Sequence, residues 1–118
     1  MLTLQGPPAV KKGKLNRRIK IDRMGPPVDD GYTTEPGGWT ELCQAWAAVY
    51  YGSGSEQRQA AQESASQAAS FEVQSNPKTR AVSVTDRIIF DGGEWDITAN
   101  IEIDRGAGRR ITAVRKAA

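Results

Sequence analysis

Arg87-Ile88-Ile89-Phe90-Asp91-Gly92-Gly93-Glu94-Trp95-Asp96-Ile97 reads as two apolar strands closed by a tight turn. Gly92-Gly93 supplies the positive φ angles that a short hairpin connection needs. The strands are expected over 87–90 and 94–103. Phe90 and Trp95 bracket the turn among alternating isoleucines, so core packing is their expected role. Downstream, Arg105-Gly106-Ala107-Gly108 marks a second turn, and 109–116 a closing strand. Upstream, Phe71 and Val73 lie on one side of a strand over 71–75 that ends at Asn76-Pro77. Val82 and Val84 suggest a further short segment before Asp86.

Further upstream, 39–51 reads as a long strand, since Tyr and Val content and the following Gly52 favour strand over a short buried helix. Leu42, Trp46, Ala48 and Tyr50 fall on one face, with Gln44 the polar exception. Cys43, Ala45, Ala47, Val49 and Tyr51 fall on the other. Two apolar faces imply burial on both sides: one against the barrel core, the other, assigned to the Cys43–Tyr51 set, against a neighbouring subunit. Cys43 itself reads as a small packed hydrophobe. An opening strand is expected over 15–23, with Leu15, Ile19 and Ile21 inward and Gly25-Pro26-Pro27 ending it. Residues 25–38 read as a long irregular loop.

Two segments are expected to stand apart from the strands. Residues 1–14 hold Gly6, Pro7, Pro8 and three lysines, and read as a flexible basic tail. Residues 53–68 hold Ser, Gln, charge and alanines without large apolar side chains, and read as a helix or loop inserted between strands. Ser53 and Glu56 fit a capping box, and Ala61, Ala65, Ala68 and Ala69 make a thin helical stripe. The expected fold is mainly β: a small antiparallel barrel or sandwich over 15–118 with that insertion.

Composition narrows the function. The chain has 118 residues, 38% of them hydrophobic, enough for one domain with a modest core. Cys43 is the only cysteine, so no internal disulfide forms. Histidine is absent, which removes the commonest general base and zinc ligand. No P-loop and no acid pair in a recognisable context is present. The expectation is no enzymatic activity, no cofactor and no metal. Asp91, Glu94 and Asp96 lack calcium-loop spacing and read as a solvated turn. No apolar run approaches the ~20 residues of a membrane span, and the N-terminal residues lack a secretory layout, so synthesis in the cytoplasm is expected.

The net charge of +2 hides segregation. Residues 1–24 carry seven basic side chains (Lys11, Lys12, Lys14, Arg17, Arg18, Lys20 and Arg23) against Asp22 alone. Residues 105–118 carry five bases and no acid, and 25–104 hold 13 acids against four bases. The favoured reading is basic end-strands beside acidic middle strands, within a barrel or between subunits; contact with DNA phosphates ranks below it. Trp39, after Pro36-Gly37-Gly38, is the aromatic expected to be most exposed.

Taken together, Gly13-Lys14-Leu15-Asn16-Arg17-Arg18-Ile19-Lys20-Ile21, the run from Trp39 to Val49 with Ser53-Gly54-Ser55-Glu56 beyond, and the 87–97 hairpin resemble the head–tail joining proteins of tailed bacteriophages, also called head-closure or stopper proteins. The resemblance implies a virion protein at the head–tail interface, made in the host bacterium. It implies a ring, dodecameric or hexameric, below the portal and its adaptor and above the tail terminator or tail tube, around packaged double-stranded DNA. Under it, Lys11, Lys12, Lys14, Arg17, Arg18 and Lys20 become candidates for adaptor docking or the channel wall. Glu56, Gln57, Arg58, Gln59, Gln62 and Glu63 become candidates for a gating segment, with 25–38 as the other possible plug. A tail-completion protein of the same particle and a small nucleic-acid-binding barrel are the alternatives.

Overall fold

In the computed structural model, which describes residues 15–35, 37–52 and 65–116, six strands close into an antiparallel barrel. They are β1 (Arg17–Met24), β4 (Trp39–Tyr51), β5 (Ala65–Gln74), β8 (Gly108–Lys116), β7 (Gly93–Ile103) and β6 (Arg87–Phe90), in that order around the barrel, with β6 returning to β1. Closure leaves no open sheet edge in the barrel. Ile19, Ile21, Phe71, Val73, Ile88, Trp95, Ile97 and Ile111 fill the interior. Trp95 is its centre, edge-to-face with Phe71 at 5.3 Å, with its indole N–H donating to the Phe90 carbonyl at 3.2 Å.

The decisive hairpin forms as read, with one correction to its turn. Phe90 pairs with Gly93, so the connection is Asp91-Gly92, and these two carry the positive φ of 54° and 70°. Gly93 lies on the ladder, and a Cβ there would lie 2.5 Å from Nε of Arg115, so a larger residue would displace the arginine side chain that crosses above it.

Three further expectations are corrected. Residues 25–38 are not irregular throughout: β2 (Val28–Asp29) and β3 (Thr34–Glu35) form a small antiparallel arm. Asp30 Oδ1 accepts the Tyr32 and Thr33 N–H groups at 2.9 Å, and Asp29 Oδ1 that of Gly31, which builds the turn from side chains. The strand expected from 71 begins at 65. Ala65, Ala68 and Ala69 belong to it rather than to a helical stripe, because they pair with Lys116, Val114 and Ala113 of β8, and ladder pairing overrides the intrinsic helical preference of alanine. Residues 53–64, with Ser53, Glu56 and Ala61, lie outside the described residues, among which the α-helix is α1 (Pro77–Ala81). Asn76 caps it by accepting the Lys78 and Thr79 N–H groups, Pro77 sits in its first turn, and Thr79 bonds back to Asn76 N–H.

β4 departs in part from its assignment, although Ala48 is buried and Leu42 packs against the core as expected. Cys43 and Ala47 point into the core, and Ala45 and Val49 pack against it. Trp46 and Tyr50, given to the core, point outward and are exposed. Cys43 and Ala47 are therefore withdrawn from any subunit contact, because the barrel's own interior covers them, whereas Ala45 and Val49 are only partly covered. Tyr51, from the same set, is exposed.

Candidate interaction surface

Among the described residues, half of the basic side chains meet an acid. Arg110 of β8 pairs with Glu72 of β5 at 3.0 Å, Arg115 with Asp91 at 3.3 Å, and Lys116 with Glu94 and Asp96 at 3.7 Å each. A bulge after Ile21 turns Asp22 inward. There its Oδ2 accepts both Nε and Nη2 of Arg87 at 3.2 and 3.1 Å, while Oδ1 has Lys20 Nζ at 3.5 Å and no hydrogen bond. Arg87 also bonds Glu94 at 2.9 Å and lies 4.2 Å over the ring of Trp39. Trp39 is thus half-covered, contrary to expectation. Asp91, Glu94 and Asp96 serve as counter-charges, and among the described residues no group of three acids or cysteines is placed to hold a metal.

A second pair roots the arm. Arg23 meets Asp86 through two parallel bonds of 3.0 Å and donates from Nη2 to the Ala81 carbonyl at 2.8 Å. Asp86 also accepts the Ser83 N–H, so the turn after α1 is tied to β1. The hydrogen bond and charge of Asp86 raise the Arg23 pKa further above its usual value.

What is left over forms the candidate surface. Arg18 has no acidic partner among the described residues; its Nε donates to Gln44 and its guanidinium lies 5.2 Å over the ring of Trp46. Arg17, likewise without an acid, lies 4.7 Å over Phe90. Trp46 is 52% exposed and forms, with Leu15, Arg18, Gln44, Gln74 and Asn76, an open depression on the barrel wall. Of the basic candidates, Arg17 and Arg18 therefore present free charge, whereas Lys20 is paired. Lys11, Lys12, Lys14 and the gating candidates Glu56, Gln57, Arg58, Gln59, Gln62 and Glu63 lie outside the described residues. Trp46 was missed as a surface residue, although Gln44 on the same strand face signals that this face meets water.

Cys43 is a buried free thiol, and burial pushes its pKa up. In the folded protein it should react with iodoacetamide at pH 8 at least about tenfold more slowly than in denaturant; equal rates would show that the strand face is open. Because only the folded state resists ionisation, the unfolded chain releases this proton first. Stability is untouched at neutral pH and declines as pH rises through the ordinary thiol range.

The family model for the phage head completion protein matches residues 10–116. A solution structure of a Shigella flexneri 2a protein superimposes with a TM-score of 0.67 at 18% identity, over 90% of this chain and 96% of that one. A chain from the virion of a native gene transfer agent particle superimposes with a TM-score of 0.62 at 24% identity, over 87% and 96%. Both share the fold. No curated protein matches the sequence.

Proposed function

Since this chain belongs to the phage head completion protein family, and so is a structural component of a phage-type particle, we propose that it acts at the head–tail connector. There it forms a ring below the portal and its adaptor, closes the DNA channel after packaging, and offers the surface on which the tail docks. The family match across nearly the whole chain carries this reading. Two features of the surface accord with it. The barrel pairs half of its described basic side chains with its own acids, which limits the basic surface left for sequestering DNA. Among its exposed features, Trp46 with Arg18 and the arm that carries Tyr32 are of the residue types that dominate protein–protein contacts. The role is mechanical: a closed barrel holds its shape, and the segment 53–64 between β4 and β5 supplies the gate.

Electron microscopy of particles made with the gene disrupted tests this. Emptied or leaking heads beside separate, complete tails are expected. Normal virions would refute the connector role, and filled heads beside malformed tails would move the protein to tail completion.

A further inference from the structure

The arm built by β2 and β3 carries Asp29, Asp30 and Glu35, and 25–38 contain no basic residue. Its tip presents Tyr32 at 94% exposure, and Val28, nearer the root opposite Glu35, is exposed as well. Within this chain, then, the tyrosine covers nothing. The root is fixed: Gly25 N–H donates to the Gly38 carbonyl at 2.9 Å, and a Cβ on Gly37 would collide with the carbonyls of Gly25 and Pro26. An acidic, aromatic-tipped projection with a set direction is pre-organised for binding.

The complementary surface is on the same ribbon. β1 and β4 pair from Met24↔Trp39, where the arm leaves, to Arg18↔Trp46, six residues along β1, or about 20 Å away at ~3.3 Å per residue. Here Arg18 lacks an acidic partner among the described residues and Trp46 is half exposed. Lys78 and Arg80, exposed on α1 just beyond Asn76 of the same depression, also lack acidic partners among them. An arginine stacked on a tryptophan suits an incoming tyrosine flanked by carboxylates. Double-stranded DNA offers phosphate charge but keeps its bases stacked inside the duplex, and the lysine-bearing N-terminal tail would be repelled.

We infer that the acidic arm of one copy docks its Tyr32 on the Arg18–Trp46 face of the next copy. Because donor and acceptor surfaces differ, the contact is heterologous, the kind that closes into a ring when its rotation divides the circle. This rests on the ring reading above and names the surfaces that would join it.

The test is cysteine cross-linking in purified particles carrying the full-length protein. Tyr32→Cys with Trp46→Cys is compared with Tyr32→Cys and Val84→Cys; all three positions are exposed, and the native Cys43 is buried. On oxidation, the first pair should give dimers and a ladder of larger species, and the control pair none. Adding Arg18→Glu to the first pair should cut the ladder at least about tenfold, the loss of 1.4 kcal/mol or more at a charge-assisted contact. If the protein is present in particles but stays monomeric on oxidation, or cross-links equally through Val84, the arm contact is wrong while the connector role stands. If the wild-type protein is missing from particles, the connector role fails and the inference with it.

Discussion

Trp95→Ala is expected to cost about 3–5 kcal/mol, a large share of the ~5–15 kcal/mol that holds a domain of this size folded. Trp95 is fully buried and touches both other core aromatics, with Phe71 at 5.3 Å and Phe90 at 6.2 Å between ring centroids. The barrel wall cannot collapse into the space, because the ladders of β6 and β8 on either side of β7 fix the strand spacing. Trp95→Phe keeps most of the packing and loses the indole bond to the Phe90 carbonyl, for about 1–3 kcal/mol by cavity and hydrogen-bond terms together. Urea titration would show both as lower midpoints at unchanged slope. A cost below about 1 kcal/mol for the alanine variant would show that the core is centred elsewhere.

That hairpin is also where sequence and structure agree best, and the reason is physical. Alternating Ile, Phe and Trp around Asp-Gly-Gly state both the period and the turn locally, so no distant partner is needed to interpret them. β5 shows the opposite case. Ala65 to Ser70 carry no strand signal of their own and become a strand because they pair with β8, joined by β4 from Ala69 onward. β4 was legible as a strand yet ambiguous in facing, since two apolar rows gave equal claims to the core; only Gln44 broke the tie. Helix α1 was written plainly in Asn76-Pro77 and Thr79, but five residues are too few for hydrophobic periodicity to register. The candidate surface was harder still. Arg18 looks like its neighbours in sequence; it stands out only in the fold, where Arg23, Arg87, Arg110 and Arg115 find acids and Arg18 instead lies over the exposed ring of Trp46.

The second large effect belongs to the root of the arm. Arg23→Ala is expected to destabilise by about 3 kcal/mol, because it strands a buried carboxylate. The Asp86 side chain is 1% exposed, while that of Arg23 is 42% exposed, and this asymmetry predicts an order. Removing the arginine leaves Asp86 out of water with only the Ser83 N–H as donor. Asp86→Asn instead frees a guanidinium that water already reaches, and keeps an oxygen that can accept from Ser83. It should cost roughly 1–2 kcal/mol. Lys116→Ala, which breaks two pairs exposed on both sides, should stay within about 0.5 kcal/mol. Denaturant midpoints give the ranking, and hydrogen exchange locates it: in Arg23→Ala the amides of 77–86 should lose protection first. Equal costs for Arg23→Ala and Lys116→Ala would mean that Asp86 finds another partner or water. The consequence reaches the assembly, since Arg23 ends one residue before Met24, from which the arm departs. A variant that folds but lets this corner open should weaken the copy-to-copy cross-link without touching either contact surface.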